Sequence, residues 1–181
     1  MTATNKARGV LPDFCFNSVT QIRPAWLTHM GIRGLLIDID NTITRWEQRI
    51  VHPAELAWLR NAASHGLSLR LLSNGLPRKL AAVELQTGLK HVSGRPVKPL
   101  PAAFRRGLRE LQLEPSQVMM IGDSVFTDVA VANRLGLWTC LIEPMSDIDF
   151  PGSKLHRLLE KLLKLRRPAD PHRDYRVAPA P

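Results

Sequence analysis

Cysteine is nearly absent from the 181 residues: Cys15 and Cys140 are the only two. They lie far apart and form no Cys-x-x-Cys, which excludes a disulfide framework and a thiolate zinc site. The six histidines never fall at ligand spacing, so a histidine metal centre is excluded as well. No apolar run approaches the roughly 18 residues of a membrane span. The opening MTATNKARGV lacks the apolar core of a secretory signal, so the cytoplasm is the expected location. Aromatic residues are scarce at 6%, but hydrophobic residues reach 44% and charged residues 23%, which suits a folded domain.

Positive charge is plentiful but unevenly placed. Residues 154–181 hold eight basic and three acidic residues, a net of +5, whereas residues 35–153 hold thirteen and twelve, a net of +1. A nucleic-acid-binding body is expected to spread its charge over the fold, so nucleic acid is not the expected partner. The length fits one domain with a real core.

Apolar runs alternate with helical patterns, the signature of a doubly wound α/β domain with a mainly parallel five-stranded sheet. Strands are predicted at Gly34–Asp38, Leu67–Leu72, Lys90–Val92, Val118–Ile121 and Trp138–Ile142. Helices are predicted at Pro53–His65, Pro77–Leu85, Leu100–Leu111 and Thr127–Leu135. Residues 1–33 are expected to pack on a core of residues 34–150. A basic amphipathic helix follows over 151–167, then a disordered Pro-rich tail over 168–181. The leucines of that helix, with Lys154, Arg157, Lys161 and Lys164 among them, suit either packing on the sheet or contact with an anionic membrane.

In open parallel sheets ligands sit beyond the carboxyl ends of the strands, so the residues after each apolar run carry the chemistry. There the chain places Asp38-Ile39-Asp40-Asn41-Thr42, Ser73-Asn74-Gly75, Lys98, and Gly122-Asp123 with Asp128. Carboxylates gathered at one edge with a lysine call for a hard cation with oxygen ligands, and Mg²⁺ beside a bound phosphate fits. Asp38 and Asp40, two apart at a strand end, suit a nucleophile and an acid.

DIDNT, LLSNG, Lys98-Pro99 and GDSVFTD resemble, in order, the four motifs of the haloacid dehalogenase superfamily. The resemblance implies a phosphatase with a Rossmann-like fold. Asp38 would attack phosphorus, and Asp40 would protonate the leaving oxygen and later activate water. Mg²⁺ would be held by Asp38, Asp123 and the Asp40 backbone carbonyl. Ser73, the Asn74 N–H and Lys98 would bind phosphate. Asp128 would orient Lys98 or the metal shell, or else sit as a carboxylate at a helix start. Asn41 stands where many members carry Gly, Thr42 is expected to bond local backbone, and Trp46 suits either the site's mouth or packing.

Only ten residues separate Thr42 from Pro53, and Lys98 follows Ser73 by 25 positions. A cap of about fifty residues does not fit there. The open site suits a phosphate presented by something large. The stretch LPDFCFNSVTQIRPAWLTHMGIRGLLIDIDNT and GDSVFTDVAVANRLGLWTCLIEP resemble the capless YqeG family, which is similar to phosphatidylglycerophosphate phosphatases. That likeness implies a phosphorylated substrate, with a lipid headgroup at the membrane surface as one form. Small sugar phosphates or nucleotides are the alternative. A basic RNA- or complex-binding scaffold is the reading from another class.

Overall fold

The computed structural model describes residues 9–46, 48–94 and 98–146. The helix expected over 151–167 and the tail after it lie outside the described residues. A proline opens each of four helices, Pro24–His29 (α1), Pro53–Ser64 (α2), Pro77–Thr87 (α3) and Pro101–Leu111 (α4). At that position its ring pre-sets φ, and the missing N–H has no helical partner to lose. Gly88 ends α3 at φ 71, a left-handed conformation that a residue without Cβ adopts freely. Among the described residues, a short last helix covers Ala130–Arg134 (α5).

Five strands, Phe14–Phe16 (β1), Gly34–Ile37 (β2), Ser68–Leu71 (β3), Val118–Gly122 (β4) and Trp138–Ile142 (β5), form one sheet in the order β1-β5-β4-β2-β3. Every pairing is parallel. The central strands β2 and β4 are buried throughout because helices cover both faces. Alternation along each strand divides the core. Leu35, Ile37, Met119 and Ile121 face Leu27, Trp58, Leu59 and Val83. Leu36, Val118 and Met120 face Phe104, Leu108, Val131 and Ala132 of α4 and α5.

Two expectations need correction. Lys90–Val92 makes a single bridge, Leu71 to His91, rather than a strand. Pairing stops because α4 takes the next residues: Arg106 Nε donates to the Ser93 carbonyl at 2.7 Å, and Ser93 N donates to Glu110 Oε1 at 3.1 Å. The fifth strand is instead β1, from the N-terminal segment, bound to β5 and reinforced where Thr139 N donates to Asp13 Oδ2 at 2.9 Å. The helix expected over Thr127–Leu135 begins as a wide π turn at Val125–Val129 before α5.

Strand order reverses between β2 and β4. The chain leaves β2 toward β3 on one side and returns to β4 on the other, which opens a crevice at their carboxyl ends. Asp38 and Asp123 follow those two strands directly.

Candidate active site

Asp38 is fixed by its own backbone, whose N–H donates to the Ile121 carbonyl at 2.9 Å and so continues the β2–β4 pairing by one residue. The residue is 5% exposed, and its carboxylate accepts from Lys98 Nζ at 2.7 Å. The same ammonium donates to Asp128 Oδ1 at 2.6 Å. Asp128 sits in the π turn, where its other oxygen accepts from Ser124 N at 3.2 Å. Gly122 makes room for it: a Cβ there would lie 2.4 Å from Asp128 Oδ2. Glycine at that position is therefore a demand of the carboxylate beneath it.

Asp38, Asp123 and Asp128, all buried, bring carboxylate oxygens within 4.8 Å of one another. Lys98 supplies one positive charge to this group, so the donor set is anionic by two when all three carboxyls are ionised. Burial pushes the Asp38 carboxyl up to about 7; the Lys98 ammonium opposes this, and the carboxylates of Asp128 and Asp40 add to it. Lys98 shifts the other way around. Burial alone would lower its value, but Asp128 and Asp38 outweigh that and raise it. A lysine held charged beside a carboxyl that is costly to ionise marks a site short of positive charge. Hard oxygen donors with this deficit fit a divalent cation such as Mg²⁺.

Asp40 points elsewhere. Its carboxylate accepts from Lys79 Nζ and, at 3.3 Å, from Ser73 Oγ. Ser73 Oγ in turn accepts from Gly75 N at 3.1 Å, and the Asn74 side-chain amide donates to the Lys98 carbonyl at 2.8 Å, which joins the loop after β3 to Lys98. The carboxylates of Asp38 and Asp40 thus face different partners, as a turn after β2 allows. That turn depends on Asn41 at φ 58, a left-handed position where Asn is tolerated. Its Oδ1 accepts from Trp46 N at 3.2 Å and Ser146 Oγ at 2.8 Å, work that a glycine has no atoms to do.

Thr42 departs from expectation. Its buried Oγ1 has no hydrogen-bond partner among the described residues, and the local backbone bond is made by Thr44 Oγ1 to the Ile39 carbonyl at 3.2 Å. Thr44 reaches that carbonyl because Ile39 closes the turn, also accepting from Thr44 N at 3.0 Å.

Sequence reasoning missed Lys79. This residue of α3 is buried and donates to Asp40 and to the carbonyls of Arg45 and Trp46, at 3.0 and 2.9 Å. A lysine two residues after a helix-opening proline reads as a solvated surface charge, and only the fold carries it under the Asp40 turn. Lys79→Met should destabilise the protein by about 2 to 3 kcal/mol, since it strips a half-buried carboxylate of its cation. Thermal melts check this; a variant as stable as wild type would mean that the buried lysine does not support the Asp40 turn.

The chain matches the family described as haloacid dehalogenase-like hydrolase over residues 43–136. It is 28% identical over 151 residues to the probable phosphatase YqeG of Bacillus subtilis (strain 168), covering 83% of this chain and 87% of that protein. It is 30% identical over 166 residues to phosphatidylglycerophosphate phosphatase 1, chloroplastic/mitochondrial, of Arabidopsis thaliana, covering 86% of this chain and 47% of that one. Among solved structures, an uncharacterized protein from Listeria monocytogenes serotype 4b aligns with a TM-score of 0.50 at 16% identity, over 74% of this chain and 99% of that one, a likeness of fold.

Proposed function

Because the chain belongs to the haloacid dehalogenase-like hydrolase family and is a phosphatase of that type, we propose that it hydrolyses phosphomonoesters with Mg²⁺ through a phosphoryl group carried on Asp38. The observation that carries this reading is the buried cluster of Asp38, Asp123 and Asp128 around one lysine. Asp38 and Asp123, with the Asp40 backbone carbonyl, would hold the ion, and Asp128 would orient Lys98 at the edge of that shell. Bound there, Mg²⁺ supplies charge neutralisation for the phosphate and for Asp38.

The Asp38 carboxylate forms a bond to phosphorus as the bond from phosphorus to the leaving oxygen breaks, and Asp40 gives that oxygen its proton. In the second step water attacks the aspartyl phosphate, Asp40 takes the water's proton, and phosphate leaves with Asp38 restored. Ser73 Oγ, the Asn74 N–H and Lys98 Nζ stabilise the charge on the phosphoryl oxygens. Lys79 and Ser73 fix the direction of the Asp40 carboxylate.

Asp40→Asn should cost far more on alkyl than on aryl phosphates, because a poor leaving group depends most on proton donation. Comparable losses on both would remove Asp40 from the acid role. Asp123→Ala should raise the Mg²⁺ concentration needed for half-maximal activity at least about tenfold, read from a metal titration.

For substrate we infer a phosphomonoester on a large carrier, with phosphatidylglycerophosphate as the leading member. The absence of room for a cap in the sequence and the named activity of the Arabidopsis relative support this. Phosphate release from phosphatidylglycerophosphate in detergent micelles, against sugar phosphates and nucleotides, is the test. Faster turnover of the soluble compounds rejects the lipid, and no Mg²⁺-dependent release from any of them rejects the enzyme reading.

A further inference from the structure

Two cavities meet at Asp40. The smaller, of about 460 Å³, holds Asp38, Lys98 and Asp123 and takes the phosphate. The larger, of about 680 Å³, shares Asp40, Trp46, Gly75 and Leu76 with it but not Asp38. An in-line attack by Asp38 places the leaving oxygen on the far side of phosphorus, beside the acid that protonates it. The group attached to that oxygen therefore extends into the larger cavity.

The wall of that cavity is of mixed character. Trp46, Leu76 and Pro77 are apolar, and Leu76, the residue just before α3, is 75% exposed. Arg49, Arg78 and Lys79 are cationic, and Asp40 is the acid in the lining. Lys79 is engaged by Asp40. Neither Arg49 nor Arg78 has an acidic partner among the described residues, so two guanidinium charges face a space that an uncharged alcohol would leave unanswered. Guanidinium groups bind phosphate oxygens in pairs, a geometry that a hydroxyl cannot reproduce.

We propose that the larger cavity is a leaving-group subsite for a second phosphate, held by Arg49 and Arg78, with Trp46 and Leu76 covering the carbon chain between the two phosphates. This inference rests on the phosphatase reading above and narrows its substrate to phosphomonoesters whose alcohol carries another phosphate. That second phosphate is either the monoester of a soluble bisphosphate or the diester of a lipid headgroup.

The test uses the full chain with Mg²⁺ and three substrates: 1,3-propanediol monophosphate, 1,3-propanediol bisphosphate and a short-chain phosphatidylglycerophosphate below its micelle concentration. The readout is kcat/KM for each compound relative to the monophosphate. Wild type should favour at least one doubly phosphorylated compound by about tenfold or more, and added salt should shrink the preference. Arg49→Gln/Arg78→Gln should bring the ratio close to one, with a melt reporting that the variant is folded. Preference for both compounds identifies any second phosphate as the ligand, and preference for the diester alone identifies the lipid headgroup. A wild-type ratio near one, or a preference that survives in the double variant and so comes from the acyl chains, overturns the subsite. Turnover of p-nitrophenyl phosphate, lost in Asp38→Asn, runs alongside. If it holds while the ratio is near one, the subsite alone fails; if wild type releases no phosphate from anything, the phosphatase reading fails with it.

Discussion

Asp38→Asn should reduce phosphate release on the order of 10⁴-fold or more while leaving the protein folded. The amide is nearly isosteric and still accepts from Lys98, but it is a poor nucleophile toward phosphorus. A second readout separates this from simple damage. Burial raises the Asp38 carboxyl from 3.8 to about 7 in the folded chain, so folding favours its protonated form. Its contribution to stability is therefore complete below pH 4 and is lost as pH rises through about 7. In metal-free protein, wild type should lose on the order of a few kcal/mol across that window, and Asp38→Asn, which does not titrate, should lose much less. Above pH 7 the variant should be the more stable of the two, and Mg²⁺ should narrow the gap by stabilising wild type. Denaturant curves from pH 4 to 8, with and without Mg²⁺, measure all three. Near wild-type turnover would end the nucleophile assignment, and parallel pH curves would mean that the carboxylate is ionised without cost.

Lys98→Met should be the most destabilising change at the site. Lys98 is 6% exposed and its ammonium joins Asp38 and Asp128, so its loss leaves three buried carboxylates with no cation among them. Removing one member of a buried ion pair costs about 3 to 5 kcal/mol, most of it the burden of the charge left behind. The metal-free variant should therefore melt well below wild type at neutral pH and recover part of the difference when the pH falls and the carboxyls protonate. Turnover should be lost in either condition, because a phosphoryl oxygen has lost its cation. If Lys98→Met matches wild type in stability at neutral pH, the cluster does not carry the negative charge assigned to it.

Much of this arrangement is legible in the sequence because it lies in short segments with strong local signals. Runs such as Val118–Ile121 are too apolar to be anything but buried, and prolines mark the starts of the helices. The rule that ligands gather at strand ends then picks out Asp38, Ser73 and Asp123 without any contact being known. The failures share a physical cause. Phe14–Phe16 is a three-residue edge strand, whose identity depends on a partner more than 120 residues away rather than on its own pattern. Lys79 is ordinary as a helical residue and exceptional only once α3 has packed beside the Asp40 turn. Thr42 and Thr44 are equivalent by composition, and the turn geometry alone decides which hydroxyl reaches the Ile39 carbonyl.

Pairing of β1 with β5 has a consequence for synthesis on the ribosome. Phe14–Phe16 is made before the other four strands of the sheet, but its neighbour, Trp138–Ile142, follows some 120 residues later. At the roughly 5 to 20 residues per second of translation, β1 waits several seconds or more with its backbone groups unpaired. Meanwhile β2, β3 and β4 have what they need to assemble, leaving the far side of β4 as an open edge until β5 fills it. A nascent chain stalled before residue 138 would expose that edge and an unpartnered aromatic strand together, which is the kind of species that chaperones bind and that aggregates when they do not. The strand made first is the last to find its place.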